Sequence, residues 1–463
     1  MKTIILSLLF LITRAAPMMA QQPSDLSPAR PAADETAFGA KIARTMTDLA
    51  TSTAGQRKPV RLLFYGQSIT AQAWAFAISE RLKKEYPNAD LSVENRAIGG
   101  FTAERLVKTA THDLYPAYPD LVIFHVYGGD GGLNGGVGGE LEAIIANIRK
   151  WTTAEIVLAT HHVSHVGNAA AQADHEKTSR LIRDLAKKYD CELVDVREEW
   201  KQYLTDNQLQ PQDLLQDVVH LNKKGCRLME DLVWRHLRYN KDFANPHADW
   251  IKSVPVEPGA NGSYKIAFTG NRVDVVAAAT DKPLGTARIL IDGQPPSANP
   301  GAYAFTRPGN ASDVWWPALY TVGCESSPMI EDWTLKFTEV SEDAKKFKYE
   351  VTGSKTGPDG DGSSERKFIS KSGRVVIDPQ DFGIAAARAY TKKPCPPDFE
   401  IKWSVVPMFQ DTYTPPKASD PASPVRTTVV QLIENGQHTL EIVPNGDGAV
   451  PINAIQVFQP ALP

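Results

Sequence analysis

The chain has 463 residues, 42% of them hydrophobic and 22% charged, with a formal net charge of -4. This length exceeds what one core usually serves, so two or three domains of about 100–200 residues each are expected. So weak a net charge gives no electrostatic reason to hold nucleic acid or an anionic membrane surface, and neither is expected as a partner.

Residues 1–20 read as a secretory signal: Lys2 supplies the charged start, Ile4 to Ile12 a short apolar core, and Met18-Met19-Ala20 a small-residue cleavage site. The expected destination is the periplasm or the exterior. The apolar run is too short to span a bilayer, and no later stretch reaches about 18 apolar residues. Residues 21–56 follow as a leader rich in Pro, Ala and Gln and then one helix. The spacing of Phe38, Ile42, Met46 and Leu49 predicts that helix from Asp34 to Thr53.

From residue 57 to 244 strand and helix patterns alternate. Strands are predicted at Arg61–Tyr65, Leu91–Ile98, Leu121–Tyr127, Glu155–Thr160 and Glu192–Val196, and helices at Ala71–Tyr86, Ala103–Thr111, Leu141–Trp151, Ala171–Lys188 and Lys224–Tyr239. Continuous apolar strands separated by helices predict an α/β domain with a parallel sheet covered on both faces. From 245 to 463 the texture changes to short alternating runs such as Tyr264–Phe268, Trp333–Phe337 and Lys346–Val351, broken by Gly, Pro, Asn and Asp. That is the signature of a β-sandwich region. Gly357–Ser364 and Tyr413–Pro424 read as extended loops. Trp315, Trp316 and Tyr320 offer aromatic faces either to a sugar ring or to packing within and between domains.

The chemistry is concentrated in a few segments. Gly66-Gln67-Ser68-Ile69 follows the first strand, where a tight Gly turn can present the Ser68 hydroxyl at the carboxyl edge of a parallel sheet. A serine is a weak nucleophile until an imidazole takes its proton, and the imidazole needs an acceptor to fix its tautomer. Asp217-Val218-Val219-His220 could supply both from one loop, although Asp217 could instead be a helix cap. His161, His162 and His165 follow the fourth strand and are placed at the cleft mouth. Four cysteines without a C-x-x-C pair argue against a metal framework, and neither metal nor cofactor is expected. If disulfides form, Cys191 with Cys226 and Cys324 with Cys395 is the economical pairing; the alternative is four small buried thiols.

Over about Arg57 to Asn240 these residues resemble the SGNH (GDSL-type) hydrolases. The first block of that family appears as Gly66-Gln67-Ser68, the second as the Gly of Asn95-Arg96-Ala97-Ile98-Gly99-Gly100-Phe101, and the last as Asp217 to His220 followed by Leu221-Asn222-Lys223-Lys224-Gly225. The resemblance implies a flavodoxin-like three-layer α/β fold. It also implies catalysis by Ser68, Asp217 and His220, and an oxyanion held by the N–H groups of Ser68 and Gly100. The third block departs: where the family has Gly-x-Asn-Asp, this chain reads Tyr127-Gly128-Gly129-Asp130, so one oxyanion donor is missing. Loss of one such donor typically costs about 10²–10³ in turnover. Asn134, Gln67, Arg96 and the three imidazoles are the groups that could fill the gap, and Gln67, Arg96, Asp130 and His162 form the expected substrate-binding set.

The last strands, His438–Val443 and Ile452–Phe458, resemble those of jelly-roll accessory domains attached to bacterial carbohydrate-active enzymes. Together the two resemblances imply an exported, monomeric serine hydrolase that removes acyl groups, most simply O-acetyl, from a carbohydrate. Two alternatives stand beside it. One is a glycoside hydrolase with Asp130 and Asp217 as its carboxylate pair; the other is a non-catalytic sugar-binding protein.

Overall fold

The structure is a computed structural model that describes residues 28–32, 34–125, 139–309, 317–396, 398–417 and 425–462. The signal segment, Asp130, Asn134, Trp315 and Trp316 therefore lie outside the described residues.

The first part of the chain runs α1 (Ala43–Ala50), β1 (Pro59–Gly66), α2 (Ala73–Glu85), β2 (Asp90–Asn95), α3 (Ala103–Asp113), β3 (Leu121–His125), α4 (Gly139–Trp151), β4 (Glu155–Ala159), α5 (Ala169–Lys188), β5 (Glu192–Val194), α6 (Val196–Asp206) and α7 (Lys223–Trp234). The five strands are parallel in the order β2-β1-β3-β4-β5, the doubly wound order of a flavodoxin-like sheet. Alternate residues of one strand feed opposite faces, because side chains of a strand alternate. Val60, Leu62 and Phe64 join a core with α1, α2, α6 and α7, while Leu63 and Tyr65 join a second core with α3, α4 and α5. The central strands β3 and β4 are buried on both faces and read as nearly unbroken apolar runs, while edge strand β2 is polar and largely exposed.

The C-terminal part runs β6 (Ile251–Pro255), β7 (Tyr264–Ala277), β8 (Ala287–Ile291), β9 (Tyr303–Phe305), β10 (Asp332–Val340), β11 (Phe347–Gly353), β12 (Gly357–Ser363), β13 (Phe368–Ile369), β14 (Val376–Ile377), α8 (Ile384–Thr391), β15 (Glu400–Pro407), β16 (Thr412–Tyr413), β17 (Arg426–Pro444) and β18 (Ile452–Phe458). It holds a six-stranded sheet, β16-β8-β17-β7-β18-β6, and a five-stranded sheet, β12-β11-β10-β15-β9, whose pairings are antiparallel, as in a β-sandwich. Each of these sheets has its own apolar cluster, one around Val273, Ile289 and Ile455 and the other around Trp333, Leu335 and Trp403.

Three sequence expectations are corrected, and one alternative left open is decided. The N-terminal helix is shorter than Asp34–Thr53, because the chain before Ala43 turns so that the N–H groups of Gly39 and Lys41 meet the Glu192 carboxylate. Those of Arg44 and Thr45 then meet Glu155. Helix α6 follows β5 with only Asp195 between them, where the prediction had extended the strand through Val196. Gly357–Ser363 is not a loop but the edge strand β12 on β11, a position where Pro358 is tolerated. No disulfide forms among the four cysteines. Cys191 packs into the α3–α5 face of the parallel sheet and Cys226 against the α7 face, so the sheet itself separates the pair that disulfide formation would have joined. Cys324 and Cys395 are likewise free thiols.

Candidate active site

Ser68 sits in the turn that leads from β1 toward α2, closed by bonds from the Thr70 N–H to the Gln67 carbonyl (2.8 Å) and from the Ala71 N–H to the Ser68 carbonyl (3.2 Å). Gly66 enters this turn at φ 151°, and a Cβ there would lie 2.0 Å from the His125 carbonyl oxygen. Only glycine fits so close to the neighbouring strand. The turn therefore lifts Ser68 to the carboxyl edge of the sheet, beside β3.

Asp217 to His220 form a tight loop ahead of α7. The Asp217 Oδ1 accepts the N–H groups of Val219 (2.8 Å) and His220 (2.7 Å), while its Oδ2 lies 2.8 Å from His220 Nδ1. His220 Nε2 is 3.0 Å from Ser68 Oγ. A carboxylate can only accept, so it selects the Nδ1–H tautomer and leaves the Nε2 lone pair facing the serine hydroxyl. Burial works to raise the Asp217 carboxyl pKa. The three hydrogen bonds outweigh it and hold the group well below the usual carboxylate range. Asp217 thus closes its own loop and orients the imidazole at once; the helix cap expected of it falls to Asn222.

The loop is fixed from both sides of His220. His162 Nε2 donates to the Val219 carbonyl at 2.8 Å, and the side-chain amide of Gln72 grips Leu221 twice, accepting from its N–H (3.1 Å) and donating to its carbonyl (2.9 Å). His165 N–H reaches the Val218 carbonyl at 2.7 Å, and Asn222 caps α7 through the N–H groups of Lys224 and Gly225. His162 thus does not open onto the cleft as expected. It is fully buried beside Trp200, and burial depresses its pKa to about 3, which keeps the ring neutral. His161 is equally buried, between His125 and His175, because the chain after β4 turns inward under the loop.

The segment after β2 passes beside the nucleophile: a Cβ on Gly99 would stand 3.8 Å from the Ser68 Cβ. Asn95 fastens this segment to the nucleophile turn, donating to the Thr70 carbonyl (2.8 Å) and accepting from the Ala97 N–H (3.1 Å). Gly100 adopts φ 75°. Among the described residues the N–H groups of Ser68 and Gly100 donate to no backbone carbonyl. Arg96 does not face the serine with a free guanidinium: it pairs with Glu94 and donates to the Asp113 carbonyl at 3.1 Å. Gln67 is 7% exposed, and among the described residues its Nε2 has no hydrogen-bond partner. Asp130 lies outside the described residues, and among those described no group of three His, Cys, Asp or Glu side chains is placed to hold a metal ion.

Sequence reasoning missed Gln72, whose clamp on Leu221 exists only once α2 and the loop before α7 meet. It also missed the structural role of His162. Neither carries a local motif that could have given it away.

Residues 64–228 match the GDSL-like lipase/acylhydrolase family. No curated protein matches the chain at a significant level. Similar solved structures include the acetylxylan esterase Axe2 of Geobacillus stearothermophilus, at 17% identity over 41% of this chain and 98% of that one, with a TM-score of 0.35. Another is the acetyl xylan esterase AlAXEase, at 24% identity over 38% of this chain and 98% of that one, with a TM-score of 0.33.

Proposed function

With a GDSL-like lipase/acylhydrolase domain at residues 64–228, this protein is, we propose, an exported serine esterase that removes acyl groups, O-acetyl foremost, from a carbohydrate. The observation that carries the reading is the unbroken relay from Ser68 Oγ through His220 to Asp217 at the carboxyl edge of a parallel sheet. In this reading Ser68 attacks the ester carbonyl as its proton passes to His220 Nε2, and Asp217 steadies the imidazolium. The N–H groups of Ser68 and Gly100 hold the oxyanion. Collapse of the tetrahedral intermediate breaks the ester C–O bond, His220 returns the proton to the departing sugar oxygen, and water releases the acyl group by the same steps.

Among the described residues Gln67 is the candidate third donor: Arg96 is paired with Glu94, His161 and His162 are held in the interior, and the Gln67 amide nitrogen has no partner there. The sugar is received in a hollow of about 460 Å3 lined by Ala71, Gln72, Phe76, Asn95 and Ala97. Phe76 is 70% exposed there, with the amides of Gln72 and Asn95 and the charged Glu80 and Lys83 also on the rim, a mix of aromatic face and polar groups that suits a pyranose ring.

One experiment tests both parts. Ser68→Ala and Phe76→Ala are assayed on 4-nitrophenyl acetate and on acetylated xylo-oligosaccharides. Ser68→Ala is expected to lose about 10³-fold or more in turnover on both, with His220→Ala no worse in combination, because members of one catalytic unit are not additive. Phe76→Ala is expected to raise KM severalfold on the oligosaccharides alone. Near-normal turnover by folded Ser68→Ala sinks the acyl-enzyme mechanism; equal KM values for Phe76→Ala on the sugar remove the hollow from the binding path.

A further inference from the structure

The second core of the parallel-sheet unit contains one residue that belongs to the C-terminal part of the chain. Tyr320 is 5% exposed and belongs to the same apolar cluster as Leu106, Ala110, Leu141 and Phe101. Its ring meets Phe101 edge-to-face, with centroids 5.4 Å apart at 81°. Phe101 directly follows Gly100, the glycine at φ 75° whose N–H is aimed at the oxyanion in the reading above. The Arg105 guanidinium lies over both rings, 5.7 Å from Phe101 and 6.0 Å from Tyr320, and its Nη1 donates to the Gly100 carbonyl at 3.4 Å.

The clamp is anchored in the β region. Tyr320 N–H donates to the Asp381 carbonyl (2.8 Å), and the Asp381 carboxylate takes Lys108 Nζ from α3 at 2.7 Å. Further along α3, His112 Nδ1 faces the Phe305 carbonyl at 2.9 Å and its Nε2 accepts the Val322 N–H at 3.3 Å, while Asp113 pairs with Arg307 at 2.8 Å. The helix that starts two residues after Phe101 is thus strapped along its length to residues 305–381.

We propose that the C-terminal β region is a working part of the hydrolase: Tyr320, together with Arg105, positions the Gly99-Gly100-Phe101 turn so that the Gly100 N–H points at the oxyanion. Gly100 stands in a conformation that glycine shares among many alternatives, so the peptide orientation is set by what holds its neighbours. Phe101 N–H closes the turn on the Ile98 carbonyl (3.3 Å), and Ile98 N–H ties its start to the Gly66 carbonyl (2.9 Å); from outside, the edge-to-face contact of Tyr320 bears on Phe101 and the Arg105 bond on the Gly100 carbonyl. Tyr320 and Arg105 are positioning residues, because neither touches substrate. The inference rests on the reading of Ser68 as an acyl-transfer nucleophile.

The full chain carrying Tyr320→Ala, Tyr320→Phe or Arg105→Ala tests it. Each is measured for kcat and KM on 4-nitrophenyl acetate and for the rate and stoichiometry of phosphonylation by a 4-nitrophenyl phosphonate, whose tetrahedral adduct on Ser68 uses the same donors. Removing a whole oxyanion donor costs about 10²–10³, so misaiming one is expected to cost Tyr320→Ala about 10-fold or more in kcat. Phosphonylation should slow by a similar factor, KM should stay within about twofold, and one phosphonate should still bind per chain. Tyr320→Phe keeps the ring and is expected to restore most of the rate. Wild-type kcat in folded Tyr320→Ala overturns the proposal, as does a loss that appears only as fewer titratable sites. Should Tyr320→Ala fail to fold, Arg105→Ala leaves both rings in place, and unchanged kcat there overturns it equally. Full activity in Ser68→Ala would instead bring down the nucleophile reading itself, a distinguishable failure.

Discussion

Lowering the pH from 7.5 to 5 should destabilise the parallel-sheet unit steeply, because it holds imidazoles in a dry interior. Burial pushes His112 and His125 down to about 4 and His162 to about 3, and it lowers His161 as well. In the unfolded chain each returns to about 6.5. A folded pKa below the unfolded one means that the unfolded chain binds more protons, so stability is fully present above about pH 6.5 and is lost as pH falls toward the folded value. At pH 5 each of the three histidines with a folded value near 3 to 4 shifts the balance by about 2 kcal/mol, or about 6 kcal/mol together. Buried Asp113 and Glu155 work the other way. Their carboxyl pKa values are raised by burial, so the folded chain takes up their protons first on acidification. Even so, a loss of several kcal/mol is a large fraction of the total of about 5–15 kcal/mol that a folded domain commonly has. Urea unfolding followed by hydrogen exchange in peptides from β1, β3 and β4 should show the midpoint falling progressively below pH 6.5. Unfolding near pH 5 should take up at least about one net proton. A midpoint at pH 5 equal to or above that at pH 7.5 would refute the assignment of these rings as neutral and buried.

Two further outcomes bear on the site. Asp217→Asn should lower kcat on 4-nitrophenyl acetate by about 10²–10⁴ while the protein stays folded, since His162 and Gln72 still hold the loop; kinetics unchanged from pH 5 to 9 would reduce Asp217 to a loop-closing acceptor. Gln67→Ala should lower kcat by about 10-fold or more with KM unchanged if its amide is the third oxyanion donor. Full turnover in that variant would mean that two backbone donors suffice or that another group serves.

What the sequence made legible follows from the range of the forces involved. The five strands, the helices between them and their parallel order announce themselves through local apolar runs and turn residues, and the structure shifts most of their ends by only a few residues. The juxtaposition of Ser68 with Asp217 and His220 could be expected across about 150 residues only because a doubly wound sheet brings its carboxyl edges together. The misses share a different cause. Helix α6 has a good apolar stripe in Val196, Trp200, Tyr203 and Leu204, but no loop separates it from β5 to mark its start. His162 and Arg96 carry polar groups that look available until the fold assigns them partners: the Val219 carbonyl for one, Glu94 for the other. Tyr320 is the extreme case. In sequence it lies far beyond the last strand of the parallel sheet, among residues that read as part of a separate β region, and nothing local distinguishes a sugar platform from a core residue. The packing of α3 against residues 305–381 crosses the boundary drawn near residue 245, and Tyr320 joins the α3–α5 core from the far side of it. A hydrolase unit cut at that boundary would expose Phe101, His112 and Asp113 together, leaving a buried aromatic face and a buried carboxylate without their cover. In the positioning role proposed for Tyr320, that cover is what couples the β region to the site it adjoins.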